Sequence, residues 1–209
     1  WEPNEYINIM VYPFTDSQIL GISTFPYSLK DFFLEGTQQV SASWITLENL
    51  SFPYCISINS SYIYEQSTDE RINQNDAAIT LAHELGHYLG LRHVFSEGGT
   101  TSMCTDTDYC KDTPSYNRSE YEQWLNNLDK QNKYQLKDLA KRYSCEKGEY
   151  EAHNIMDYAY CFYNEITLEQ RKRIRHILNY SPLIPGPKES RIDTRGVQGR
   201  LNLPICIMK

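Results

Sequence analysis

Residues 83–93 read HELGHYLGLRH, and three of the chain's five histidines fall inside them. On a helix His83 and His87 stand four residues apart, so their imidazoles project from one face at neighbouring turns and can share one ion. Glu84 lies beside them. Gly90 takes a left-handed backbone conformation at little cost, and a turn there returns His93 as a third ligand. Three nitrogen ligands leave one position of a tetrahedral zinc open, which marks a catalytic site and not a structural one. Zinc held that way lowers the pKa of a bound water toward ~7 and polarises a carbonyl, while a carboxylate nearby takes the water's proton. Glu84 suits the last role because it adjoins a ligand yet is not needed as one. A short His-Glu-x-x-His stretch arises by chance in unrelated chains. The extension through Gly90 to His93 is what makes a hydrolytic metal centre the reading here.

The elements that position these residues follow from periodicity. From Asn75, which can cap a helix, Ala78, Leu81, Ala82, Leu85 and Leu89 recur at spacings of three and four, and Gly90 can end the run. Upstream, Tyr6 to Phe14 alternates with Ile7, Ile9 and Val11 on one side, the period of a half-buried strand. Ile19 to Phe25, Cys55 to Ile58 and Trp44 to Leu47 are further short strands between turn-forming residues. Residues 95–110 are rich in Gly, Ser, Thr and Asp and predict a loop. Helices are expected over Ser119 to Leu128, Lys133 to Tyr143 and Leu168 to Asn179, the last with Thr167 and Gln170 in capping-box spacing. Pro and Gly after Pro182 predict an extended tail. No repeats or low-complexity tracts occur.

Length and charge exclude several classes. At 209 residues the chain reads as one domain, and its composition is that of a globular protein. A net charge of −7 argues against a nucleic-acid partner, which needs clustered Lys and Arg. The one basic run, Arg171, Lys172, Arg173 and Arg175, is expected to be a solvated helix face. No apolar stretch approaches the roughly 20 residues of a membrane span. The chain begins at Trp1, so a mature form or a fragment is expected. Cys55, Cys104, Cys110, Cys145, Cys161 and Cys206 are even in number and include no Cys-x-x-Cys pair, which favours disulfides in an oxidising compartment over buried thiols.

A second motif, HNIMDY, spans His153 to Tyr158. The zinc segment followed downstream by a methionine turn resembles the metzincin metallopeptidases. Within them the pappalysin family is most similar, through YINIMV, LGISTFPYS, DYCKDTP and ITLEQRKRI in addition to the two specific motifs. The resemblance implies an α+β fold in two lobes. The upper lobe, about residues 1–90, would hold a twisted mixed sheet and the zinc-binding active-site helix; the lower, about 91–181, would be irregular, and 182–209 would be the tail. It implies a zinc-dependent endopeptidase with protein or peptide substrates, extracytoplasmic and either secreted or surface-anchored. Met156 would floor the metal site, and Tyr158 would help stabilise the oxyanion. An extended peptide is expected to add to an open strand edge, for which Leu20 to Phe25 is the candidate. Some family members cut before basic residues, a preference that an acidic chain favours weakly.

The resemblance also implies calcium in the loop after His93, through Asp108, Thr113 and the carbonyl of Cys110, with Asp106 and Asp112 in reserve; a polar solvent loop accounts for the same residues with no metal. Cys104, Cys145 and Cys161 are similar to family disulfide positions, whereas Cys110 stands where the family more often has an apolar residue; the expected pairings are Cys104 with Cys145 and Cys110 with Cys161, leaving Cys55 with Cys206. The family has a strand and a long helix before the region matching Trp1, and this sequence starts too late to include them, so a processed fragment or a trimmed domain is expected. An exposed sheet edge is therefore expected, covered by a missing N-terminal segment or a second chain. Two other readings of the same residues are a zinc hydrolase of non-peptide amides or esters, and an inactive peptide-binding module.

Overall fold

The computed structural model describes residues 1–41, 53–63, 76–97, 105–129, 132–146, 148–186 and 188, and 205–208 as backbone. A mixed sheet forms the centre: β1 (Ile9–Tyr12), β5 (Ile56–Asn59), β2 (Gly21–Thr24) and β8 (Ile205–Met208), in that order across the sheet. β1 runs parallel to β5, with Ile9 opposite Ile56, while β2 is antiparallel to both β5 and β8. Two smaller ribbons pair β3 (Tyr27–Leu29) with β4 (Gln38–Val40) and β6 (Lys141–Ser144) with β7 (Gly148–Glu151). The helices are α1 (Ala77–Tyr88), α2 (Arg118–Asn126), the short α3 (Leu136–Leu139) and α4 (Leu168–Tyr180). The expected α+β architecture with a mixed sheet is what forms.

Beside a small cluster of Ala152, Cys161 and Tyr163, two larger apolar clusters form the core among the described residues. One joins Tyr27, Leu29, Ile56 and Ile58 of the strands to Tyr88 of α1 and Ile177 of α4. The other gathers Leu91, Val94, Phe95, Tyr116, Tyr121, Met156 and Tyr158 beyond the end of α1. Leu183 and Ile184 are buried in the first cluster, so the start of the expected tail is part of the core. At roughly 25 cal/mol per Å² of apolar surface, burying one such Leu or Ile stabilises the fold by about 1.5–3 kcal/mol. That is enough to hold this stretch against the body.

Several expectations change on contact with tertiary structure. Leu20 to Phe25 is not an open edge, because the outer side of β2 is occupied by β8. β1 is not half-buried: Ile9 and Val11 are 49% and 48% exposed, since β5 is its only ladder partner and little apolar surface lies against it among the described residues. β1 is the end strand of this sheet among the described residues. Lys133 to Tyr143 is not one helix. It forms a single helical turn and then β6, because pairing with β7 satisfies a backbone that a helix would have satisfied locally. The helix of the zinc motif is capped by Asp76, whose carboxylate accepts the Ala78 N–H at 2.7 Å; Asn75 lies outside the described residues, as does the strand expected over Trp44 to Leu47. Arg173 leaves the basic run and is buried, with its Nε and Nη2 donating to the Gly90 carbonyl at 3.3 and 3.2 Å.

The cysteines divide differently from the expected pairings. Cys145 is disulfide-bonded, and Cys104, its expected partner, lies outside the described residues. Cys55, Cys110 and Cys161 are buried thiols, so neither Cys110–Cys161 nor Cys55–Cys206 forms. Each sulfur has its own oxygen neighbour: Ser57 Oγ at 3.7 Å for Cys55, the Asp108 carbonyl at 3.6 Å for Cys110, and the Ala152 carbonyl at 3.2 Å for Cys161. Burial pushes all three thiols up, that of Cys110 to about 12, which keeps them protonated and unreactive.

Candidate metal centre

The last turn of α1 and the chain that follows it build the site. Gly90 has φ +88, its N–H bonds the His87 carbonyl at 2.9 Å, and the Leu91 N–H bonds the Gly86 carbonyl at 2.9 Å. This is the Schellman pair of hydrogen bonds, and it ends the helix while reversing the chain. His93 thereby comes back over the face that carries His83 and His87. All three imidazoles are buried, and their ligating nitrogens lie within 4.8 Å of one another.

Hydrogen bonding decides which nitrogen each ring offers. Nδ1 of His83 lies 2.7 Å from the Ile155 carbonyl and Nδ1 of His87 lies 2.8 Å from the Leu91 carbonyl. A carbonyl only accepts, so both Nδ1 atoms carry the proton and both Nε2 atoms carry lone pairs in the neutral rings. Nδ1 of His93 meets the carboxylate of Glu97 in the same way. Nε2 of His87 then faces Nε2 of His93 at 3.0 Å, and the buried Nε2 of His83 has no hydrogen-bond partner. Three lone pairs aimed at one buried point repel one another unless a cation stands between them. Two nitrogens bound tetrahedrally to one zinc at about 2.05 Å are roughly 3.3 Å apart, close to the 3.0 Å between the Nε2 atoms of His87 and His93. The residues present therefore fit zinc.

Electrostatics agree with the geometry. Burial pushes His83 down to about 4, opposed by its bond to Ile155. Burial and then the neighbouring histidines and arginines press His87 and His93 well below the ordinary range. All three rings are neutral at pH 7 and available as ligands.

Glu84 is fully buried on α1 and lies against Gly21 of β2, where a Cβ would stand 2.6 Å from its Cγ and 2.9 Å from Oε1. Met156 is fully buried against Gly86, where an added Cβ would meet its Sδ at 2.3 Å. The Tyr158 ring stands 4.5 Å from that of His93 and 5.4 Å from that of His83, beneath the Arg118 guanidinium at 4.6 Å. In the loop, the Thr113 hydroxyl lies 2.6 Å from both Asp108 Oδ2 and the Cys110 carbonyl, so the three expected oxygens converge. One hydroxyl proton serves only one of these contacts. Burial raises the Asp108 carboxyl to about 7, and Asp106 adds in the same direction. Asp112 faces elsewhere, accepting the Glu169 N–H at the start of α4.

Four features of the site have no counterpart in the sequence reading. Glu97 meets His93, and its position one helical turn's spacing after that histidine was the available signal. Gly21 makes room for Glu84 across a contact that no local pattern encodes. Asn154 and Gln170 exchange amide hydrogen bonds at 2.8 and 3.0 Å, tying the methionine turn to α4, while Asn154 Oδ1 also accepts the Met156 N–H at 3.0 Å. Gln170 was legible only as a capping residue. Arg142 is fully buried over the Tyr121 ring at 3.6 Å, lies 3.5 Å from Asp157, and donates to the Tyr158 and Tyr160 carbonyls. It clamps the segment that carries Tyr158.

Comparison with known proteins places this geometry in context. The family model for peptidase M43, described as pregnancy-associated plasma protein-A, matches residues 42–179. An extracellular metalloprotease of Arthroderma benhamiae is 37% identical over 108 residues, 50% of this chain and 32% of that protein. One from Arthroderma otae is 32% identical over 171 residues, 80% of this chain and 49% of that protein. The chain thus spans about half the length, or less, of the curated relatives it matches. Among solved structures, Tannerella forsythia mature mirolysin in complex with a cleaved peptide aligns with 84% of this chain and 53% of its own, at 23% identity and a TM-score of 0.47.

Proposed function

The chain belongs to the peptidase M43 family, that of pregnancy-associated plasma protein-A, and from that membership and the site's geometry we propose that it is a zinc-dependent endopeptidase. The single observation that carries the reading is the set of three buried imidazole Nε2 lone pairs converging on one point, with Glu84 buried next to His83 on the same helix. His83, His87 and His93 hold the metal. The carbonyls of Ile155 and Leu91 and the carboxylate of Glu97 fix their rings. Zinc bound there supplies Lewis-acid polarisation of the scissile carbonyl and of the attacking water. Glu84 takes the water's proton and later passes it to the leaving amine. Tyr158, whose ring packs on His93, is the proposed donor to the oxyanion, and Met156 fills the floor against Gly86.

The substrate is a protein or peptide, bound as an extended strand. With β8 on the outer side of β2, that side of the sheet accepts a peptide only when β8 leaves. The relatives are named extracellular metalloproteases; an extracytoplasmic setting for this chain agrees with the disulfide at Cys145. No helix among the described residues is long and apolar enough to cross a membrane.

Glu84→Gln tests the assignment of the base. The variant should retain zinc and lose about 100- to 10,000-fold in peptide turnover; turnover at the parental rate would remove Glu84 from that role. Calcium is proposed for Asp108, Thr113 and the Cys110 carbonyl, because a hard cation would satisfy the crowded oxygens that one hydroxyl proton leaves facing each other. Added calcium should raise the thermal midpoint of the parent and not of Asp108→Asn. An equal response in both would place calcium elsewhere.

A further inference from the structure

We propose that Glu97 is the positioning residue of the third imidazole: its carboxylate accepts the Nδ1–H of His93 and sets the tautomer and tilt that aim Nε2 at the shared point. The inference rests on reading the trio as a metal site. His93 is the ligand with the least local support. His83 and His87 sit on α1 and give Nδ1 to backbone carbonyls, which the fold supplies whatever the side chains are. His93 lies past the end of the helix, on a stretch without helix or strand pairing, and its Nδ1 partner is a side chain.

That side chain is itself held. Arg92 Nη1 lies 3.5 Å from Glu97 Oε2, and Arg92 is anchored by Nε and Nη2 donating to the Gly36 carbonyl at 3.0 and 2.6 Å. The Arg92 guanidinium also covers the Phe25 ring at 5.0 Å. Thr107 Oγ1 accepts the Glu97 N–H at 3.2 Å and donates to the Phe95 carbonyl. Phe95 in turn stacks on the His93 ring at 4.7 Å and 11°. A line of contacts therefore runs from Gly36 through Arg92 and Glu97 to the third ligand, and a face of that ring is fixed by Phe95. A carboxylate partner makes the imidazole a stronger donor to a metal than a carbonyl partner does, and losing such a partner typically costs about 10- to 100-fold in metal affinity.

The test is zinc affinity by competition against a chelator of known strength, for the parent, Glu97→Ala, Glu97→Gln and His93→Ala, together with the visible spectrum of the cobalt-substituted protein. Glu97→Ala should weaken zinc about 10- to 100-fold and shift the cobalt bands. Glu97→Gln, near-isosteric and still able to accept through its amide oxygen, should lie between it and the parent. A Glu97 with a merely structural role would move the thermal midpoint of the metal-free protein and leave the cobalt spectrum unchanged. Parental zinc affinity and an unaltered cobalt spectrum in both Glu97 variants would overturn the proposal. If His93→Ala also bound zinc as the parent does, the trio itself would be wrong, so the two failures are distinguishable.

Discussion

Gly21 and Glu84 meet across the boundary between β2 and α1, and the meeting leaves no space for a methyl group. An added Cβ would stand 2.6 Å from Glu84 Cγ, so Gly21→Ala must displace the carboxylate, which is fully buried and hemmed in. Gly21 has no need of left-handed backbone, so the substitution strains the contact and not the chain. Misplacing a reacting group by about 1 Å costs on the order of 100-fold in rate. Gly21→Ala should therefore keep its zinc and lose roughly that factor in kcat for peptide cleavage; a variant with full kcat would show that the carboxylate does not act from this position. The histidines and Glu84 were legible in the sequence because residue type and helical spacing name a metal site directly. Gly21 and Arg142 were not, because their partners come from distant parts of the chain and only the folded packing defines what they do.

At the scale of elements, reading succeeded where a local signal decides the outcome. α4 begins at Leu168 with Thr167 and Gln170 in a reciprocal capping box, and α1 ends at the turn that Gly90 permits. It failed where pairing with a distant segment decides. Leu136, Leu139 and Ala140 suggest a helix that continues, yet β6 starts at Lys141 because β7 offers it a ladder. The sequence predicts an open edge at Leu20 to Phe25, and nothing in LGISTFPYS discloses that Ile205–Met208 pairs with it. This last difference has a functional consequence. If an extended peptide adds to the outer side of β2, deleting residues 205–209 should raise kcat/KM toward a quenched peptide while lowering the thermal midpoint, since one strand of the sheet is lost. A folded truncated chain with unchanged turnover would place the peptide along a different edge.

Among the described residues, one large apolar cluster holds Tyr88 at the end of α1 and the other holds Leu91 just past it, so the metal-centre residues His87 and His93 flank that point in the chain. α4 serves both halves: Ile177 packs into the sheet cluster, Gln170 holds the methionine turn, and Arg173 bonds Gly90 at the turn that returns His93. That arrangement explains why the centre's residues can be spread from Gly21 to Gln170 and still be fixed in place. The α+β class and the metal centre could be anticipated from sequence, whereas the cysteine pattern could not, since Cys55, Cys110 and Cys161 are buried thiols with local oxygen partners. Even numbers of cysteines carry no information about which side chains reach each other. The most direct test of the central claim is metal content measured together with peptide digestion, on protein purified without added metal, with and without a chelator. The account predicts about one zinc per chain, cleavage that stops on chelation, and recovery when zinc is returned. Protein without bound zinc, or cleavage that continues after the metal is stripped, would contradict it.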